Sequence, residues 1–330
     1  MKVLLTGGAG YVGSHAAWML DRGGHEIWVF DNLSEGHRGA VREGRLIEGN
    51  LLDRPLLEAA LRDHQIDAVM HFAAATYVGV SVTDPAEYYQ NNIVGTLSLL
   101  EAMRDVGVSR IVFSSTCAIY GVPDVVPITE TEKQAPISPY GFTKLAIERA
   151  LADYSHAYGL GYAALRYFNA AGAAANSPLG EDHEPETHLI PLVLQVALGE
   201  RKNIKIFGDD YPTPDGTCVR DYIHVDDLAT AHVAALEKLA GGSQLKLNLG
   251  TGQGASVQEV IEACRKVTGH PILAEVVARR EGDPPELVAD ASLAREVLGW
   301  QPQYTDIQAI VASAWQWHKA HPKGYDDRER

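Results

Sequence analysis

The first half of the chain alternates short, nearly all-apolar runs with stretches whose apolar residues recur every three or four positions. KVLLT (2–6), EIWVF (26–30), RLIE (45–48), AVMHF (68–72) and RIVFS (110–114) predict strands. Their apolar content on both faces suits a sheet covered on both sides. Helical spacing over 12–22, 54–64 and 85–105 separates them. Strands alternating with helices imply right-handed crossovers and a parallel sheet. The expected fold class is therefore α/β, a doubly wound parallel sheet. After about residue 170 the rhythm changes. GDDYPTPDGT (208–217) and GDPPE (282–286) are turn-rich, and helical patterns at 188–199, 225–240, 256–268 and 305–320 are joined by short strand-like pieces. The expected division is 1–170 for the main sheet and 171–330 for a smaller α/β lobe over the carboxyl ends of its strands, with segments free to return to the sheet. Ligands bind at those ends in such folds.

Composition narrows the partners. The chain has 330 residues and a formal charge of −15, so its average field repels nucleic acid and anionic lipid; neither is expected as a partner. A small anionic ligand held by a local pocket remains compatible. Cys117, Cys218 and Cys264 are far apart, odd in number and without a CxxC, which argues against a disulfide framework and for a reducing compartment. No run approaches the ~18 apolar residues of a membrane span, and the start is too short in apolar residues for a signal core. The expectation is a cytoplasmic protein. The 13 histidines avoid ligand spacings such as HxxxH, and no metal site is expected.

Between the first strand and the first helix lies GGAGYVG. It fits GxGxxG through Gly8, Gly10 and Gly13, and GxxGxxG through Gly7, Gly10 and Gly13. Glycines permit the tight turn and the approach of a pyrophosphate to the backbone, and the helix start offers free N–H groups. Such loops are common turns, but this position between strand and helix is that of a Rossmann-type dinucleotide site. Asp31 ends the second strand 18 residues after Gly13, close to the ~20 expected of an acid that bonds an adenosine ribose. A carboxylate there would repel a 2′-phosphate, which favours NAD over NADP.

SPYGFTK (138–144) carries the candidate chemistry. Ser138 suits a helix cap and Pro139 its first turn. Tyr140 and Lys144 then share one face at i and i+4. A phenol titrates near ~10; a neighbouring ammonium, a helix start and an oxidised nicotinamide would all favour its phenolate, a base able to take a proton from an alcohol. Gly141 would leave room beside the phenol for cofactor or substrate. Thr116, in SSTCAIYG after the fifth strand, is placed to hydrogen-bond a reacting alcohol or carbonyl.

These motifs, with DNLS, HFAA, RYFNAAGA, DGTCVRDYIHV and RREGDPPE, resemble the UDP-glucose 4-epimerase family of the extended short-chain dehydrogenase/reductase superfamily, over nearly the whole chain. The glycine loop and YxxxK are shared across the superfamily; the last two segments are closer to the epimerases. The resemblance implies that Tyr140, assisted by Thr116, takes the proton of the C4 hydroxyl of a UDP-hexose while hydride passes to NAD. The 4-keto sugar then turns and hydride returns to its other face. Lys144 would hold the nicotinamide ribose. Implied NAD contacts are Tyr11, Val12, Asp31, Asn32, Ser34, Asn50, Leu51, Phe72, Ala73, Ala74, Asn91, Ser114 and Phe168, with the loop glycines. Implied UDP-sugar contacts are Asn169, His188, Leu189, Phe207, Arg220, Tyr222, Arg280 and Asp283; guanidinium geometry suits a pyrophosphate. Without the resemblance, Arg220 and Arg280 would read as ordinary ion-pair residues.

Four positions depart from the pattern known best. Asn50 stands where many members have aspartate, Thr76 where lysine is common, and His188 where asparagine is. Leu287 replaces a bulky tyrosine that closes the sugar pocket in some members, which predicts activity on UDP-N-acetylglucosamine. A dehydratase or decarboxylase of the same superfamily would carry acids beside Thr116, where this chain has Cys117 and Ala118. An epimerase of UDP-pentoses or uronic acids differs by as little as one pocket residue. A non-catalytic NAD sensor would not need Thr116, Tyr140 and Lys144. The resemblance also implies a homodimer through the helical stretches around 85–105 and 140–158, although Ala146, Ile147, Ala150 and Leu151 would serve equally as core.

Overall fold

The computed structural model describes residues 1–175, 177–280, 282–325 and 327. The strands are β1 (Lys2–Thr6), β2 (Glu26–Asp31), β3 (Leu46–Glu48), β4 (Ala68–His71), β5 (Arg110–Thr116), β6 (Gly161–Tyr167), β7 (Asn169–Ala171), β8 (Ile204–Phe207), β9 (Val219–His224), β10 (Gln244–Leu249), β11 (Gly254–Ser256), β12 (Ala274–Val277) and β13 (Glu286–Leu287). The helices are α1 (Tyr11–Arg22), α2 (Arg54–Asp63), α3 (Val78–Thr83), α4 (Pro85–Tyr88), α5 (Gly95–Val106), α6 (Pro139–Tyr158), α7 (Leu189–Ala197), α8 (Val225–Lys238), α9 (Val257–Thr268), α10 (Ser292–Leu298) and α11 (Ile307–Ala320).

Seven parallel strands form the main sheet in the order β10-β6-β5-β4-β1-β2-β3. The apolar runs are buried on both faces, as their composition requires. Leu4, Val69, Ile111 and Tyr162 point into one core with Leu57, Leu99 and Ile147. Leu5, Met70, Val112 and Leu165 point into the other with Leu20, Leu228 and Leu298. The order turns back between β1 and β4. That opens a crevice at the carboxyl ends, where Thr6, Asp31, His71, Thr116 and Tyr167 end their strands.

In the second half, β9 pairs with β11, β13 and β7, and β8 pairs with β12. Helices α7, α9 and α11 close a separate core around Val193, Ile261 and Val311. Strand β10 returns to the main sheet beside β6. Among the described residues no helix is long and apolar enough to cross a membrane. The helical stretch expected over 85–105 is broken: a π-helical segment, Tyr89–Val94, separates α4 from α5. It carries buried Asn92, whose amide bonds both backbone groups of Ala75 and the Thr143 hydroxyl, joining the loop after β4 to α6.

Candidate active site

The glycine loop caps α1 without any side chain: Gly10 is the cap residue, and Ser14 N donates to its carbonyl at 2.9 Å. A Cβ on Gly13 would lie 2.2 Å from the Gly7 carbonyl oxygen, so only glycine lets the loop close on the helix. Gly10 differs. A Cβ there would meet nothing nearer than the Gly7 oxygen at 3.5 Å, leaving its outer side open to an approaching group. This is a cradle that a side chain would fill, and it fits a pyrophosphate. We expect Gly10→Val to fold with the wild-type melting temperature yet lose the thermal shift that NAD gives the wild type; a preserved shift would contradict the assignment.

Asp31 is buried, and its carboxylate accepts from Ala9 N at 3.0 Å and Leu33 N at 2.9 Å. Burial raises its pKa and these N–H groups oppose the rise. It thus braces the glycine loop while standing at the crevice. Asn32 holds Ser34 through its Oδ1, and Asn50 Oδ1 accepts from Leu52 N; both are turn contacts with exposed partners. Leu51 packs into the core with Ala73 beside it. Phe72 N and Ala73 N both donate to the Thr6 carbonyl, which leads Phe72, Ala73 and Ala74 out of β4 next to the loop. Asn91 donates to Asn92. Tyr11 opens α1, followed by Val12, and its hydroxyl donates to the Gly172 carbonyl.

Ser138 caps α6 by accepting from Gly141 N at 3.1 Å, with Pro139 in the first turn. This places Tyr140 against the end of β5. Its phenol faces the Thr116 side chain, whose hydroxyl accepts from Ala118 N at 3.2 Å. Lys144 Nζ donates to the Ser114 carbonyl at 2.8 Å and lies 5.9 Å from the Tyr140 ring centroid. Ser114 Oγ bonds the Tyr167 hydroxyl. Thr116, Tyr140 and Lys144, separate in the chain, therefore meet at one point on the crevice.

One expectation is corrected here. Gly141 does not keep space for a ligand: a Cβ on it would lie 2.6 Å from the Ala118 carbonyl and 3.1 Å from Pro136. Its bareness lets the turn after Thr116 pack against the start of α6. Burial pushes Tyr140 well above the ordinary phenol value, with Tyr167 adding to the rise and the Thr116 hydroxyl opposing it. Burial also lowers Lys144 to about 7.

Part of the second half packs at the same end. Asn169 pairs with Tyr222, and Leu287 with Arg220, across β7, β9 and β13. Phe168 and Leu287 pack with Cys117 beside Thr116. Arg220 pairs with Asp283, and the Arg280 guanidinium stacks 3.9 Å from the Phe207 ring centroid. Leu189 begins α7, and His188 precedes it. His188 does not point alone: its Nδ1 is 2.9 Å from Glu181 and 3.0 Å from Glu186, and His183 faces the same two carboxylates. The reading of scattered histidines missed this group, because its histidines are five residues apart with acids before and between them.

A glycine turn and an acid at the first two strand ends, facing a tyrosine–lysine pair on a capped helix, define a Rossmann-type protein built to react on a bound dinucleotide. The profile of the NAD dependent epimerase/dehydratase family matches residues 3–250, and the chain belongs to that family. It is 53% identical over 331 residues to the UDP-glucose 4-epimerase of Halalkalibacterium halodurans, covering 100% of this chain and 99% of that one. The UDP-glucose 4-epimerase from Bifidobacterium longum, solved in complex with NAD+ and UDP, superposes with a TM-score of 0.95 at 40% identity, over 98% of this chain and 100% of that one. The UDP-Glc/GlcNAc 4-epimerase from Campylobacter jejuni superposes at 0.85 with 44% identity, over 97% and 99%.

Proposed function

We propose that the chain catalyses the NAD-dependent 4-epimerisation of UDP-glucose and UDP-galactose. The observation that carries this is the meeting of Thr116, Tyr140 and Lys144 at the crevice beside the glycine loop, in a chain half identical over its full length to a UDP-glucose 4-epimerase. Tyr140 removes the proton of the C4 hydroxyl, and Thr116 holds that oxygen and the phenol together. Lys144, anchored on Ser114, grips the ribose next to the reacting ring. NAD, when bound, would supply the hydride acceptor and donor, and a positive ring beside Tyr140 would favour its phenolate. The loop glycines, Asp31, Asn32, Ser34, Asn50, Leu51, Phe72 to Ala74, Asn91 and Phe168 hold the dinucleotide. Residues 171–330 supply most of the grip on UDP, through His188, Leu189, Phe207, Arg220, Tyr222, Arg280 and Asp283, with Asn169 just before them. That firm hold on UDP leaves the sugar free to turn. Cys117 and Ala118 provide no acid for dehydration next to Thr116.

Leu287 sets the sugar range in this reading. It stands beside Cys117 and Phe168 at the sugar end, where a leucine leaves more room than an aromatic ring. A panel of UDP-glucose, UDP-galactose and their 2-acetamido analogues is expected to show turnover of all four. Leu287→Tyr is expected to lower turnover of the acetamido pair at least ~10-fold while sparing the other two, the scale on which pocket shape discriminates. Failure on the unmodified pair would overturn the reading itself.

We also place the chain in a homodimer and in the cytoplasm. Tyr89, Val94, Leu97, Phe142 and Tyr158 are exposed on the 85–106 and 139–158 segments, an apolar surface suited to a second copy. Ile147 and Leu151, by contrast, are core. Sedimentation as a monomer at micromolar concentration would refute the dimer. All three cysteines are free and buried, in keeping with a reducing compartment.

A further inference from the structure

The donors of Glu181, His183, Glu186 and His188 converge away from Thr116, Tyr140 and Lys144, and of the four only His188 has been given a role above, on the UDP side. One ligand atom from each lies within 4.8 Å of the others. His183 Nδ1 is 3.5 Å from Glu181 Oε1 and 3.5 Å from Glu186 Oε2; His188 Nδ1 is 2.9 Å from Glu181 Oε1 and 3.0 Å from Glu186 Oε1. Bonds of ~2.0–2.1 Å to a tetrahedral ion set its ligands roughly 3.3 Å apart; the four histidine–glutamate distances are close to that, and the wider separations, up to 4.8 Å, would have to close around an ion.

Two of the four atoms lack a well-formed hydrogen bond although they are buried. Glu181 Oε1 and His183 Nδ1 have no donor or acceptor in good geometry, and the Glu181 side chain is only 4% exposed. The close partners of the Glu181 oxygen are therefore the two imidazoles of the cluster. Glu186, in contrast, is fixed by backbone groups: its Oε1 accepts from Thr187 N and His188 N at 2.7 Å each, and its Oε2 faces His183. The two imidazole rings stand 5.2 Å apart.

We infer that Glu181, His183, Glu186 and His188 form a structural site for one divalent transition ion of the zinc class. Two imidazole nitrogens and two carboxylate oxygens suit zinc better than magnesium or calcium, which favour oxygen-only shells. Two carboxylates balance the charge of the ion. The site lies where the two halves of the chain meet. His183 packs edge-on against Tyr11 at the start of α1, with ring centroids 6.2 Å apart, and His188 is the residue from which α7 begins. An ion here fixes the start of α7, with Leu189, against the helix that follows the glycine loop. This goes beyond the epimerase reading, and its test needs no turnover.

The full chain is stripped with chelator, then titrated with Zn2+, Co2+ and Mg2+. The expected result is ~1 zinc retained per chain after desalting, an intense visible spectrum of tetrahedral type with Co2+, and no response to Mg2+. Zinc at ~100 times its Kd is expected to raise the melting temperature by roughly 5 °C. His183→Gln and Glu181→Gln are expected to lose the retained zinc and the shift. Should either variant fail to fold, the Co2+ spectrum of the wild type still decides. No retained zinc, or a weak octahedral Co2+ spectrum, would mean that the four side chains only form imidazolium–carboxylate pairs, and would overturn the site. Zinc binding unchanged in both folded variants would overturn it as well.

Discussion

Tyr140→Phe is expected to lower kcat for UDP-galactose by about 10²–10⁴-fold, the usual contribution of a positioned acid–base group. Its KM is expected to change little, because in this account UDP is gripped by Arg220, Arg280 and their neighbours and not by the phenol. Phenylalanine keeps the ring between β5 and α6, so the loss reports the hydroxyl alone. The effect is large because this phenol faces Thr116 at the crevice, with Lys144 5.9 Å from its ring centroid. Thr116→Val should cost less, since it removes a hydrogen bond but no proton acceptor. Steady-state kinetics on both variants with UDP-galactose provide the check. Tyr140→Phe activity within a few-fold of wild type would mean that another group takes the proton.

Glu148→Ala is expected to destabilise the fold by about 3–5 kcal/mol, the cost of leaving a buried charge without its partner. Glu148 and Arg166 are both almost fully buried and form a two-pronged pair, Nε to Oε1 at 2.9 Å and Nη2 to Oε2 at 2.6 Å. The Ser115 hydroxyl donates to the same carboxylate at 2.6 Å, and Arg166 Nη1 reaches the Tyr120 hydroxyl at 2.9 Å. Tyr120 in turn donates to Asn248 on β10. The carboxylate thus pins α6, one turn beyond Lys144, to β5 and β6. Removing it should also loosen the register between Tyr140 and Thr116. A drop of roughly 5–10 °C in melting temperature is expected. Arg149→Ala on the same helix is the control. Its pair with Asp153 is exposed, and the change should stay within ~0.5 kcal/mol. Equal melting temperatures for the two variants would refute the role given to the buried pair.

Much of this was legible in the sequence because it is local. The apolar runs of β1, β2, β4 and β5 become strands of one parallel sheet, since runs that are apolar on both faces need cover on both sides. Ser138 and Pro139 mark the start of α6 within one residue, because a cap is decided by its own turn. What stayed hidden depends on residues brought together from far apart. The Ala118 carbonyl, not a ligand, occupies the space beside Gly141, and nothing near Gly141 in the chain announces it. The upward push on Tyr140 comes from burial, which spacing cannot report. Arg166 sits in the apolar run of β6, where a lone charge signals a buried partner; Glu148 could be identified only once α6 was laid on the sheet. The histidine–glutamate group escaped for the opposite reason. It is local, but its five-residue histidine spacing matches no helical ligand motif, and the loop that folds it has no periodicity.

The central claim is that one site oxidises C4 of the sugar and reduces the same carbon again. UDP-galactose carrying deuterium at C4 tests it most directly, with the UDP-glucose formed analysed by mass and NMR. The account predicts that the label is retained at C4 of the product and that none is lost to water, because the hydrogen removed is the one returned. Washout of the label to solvent, or its appearance at another carbon, would contradict it.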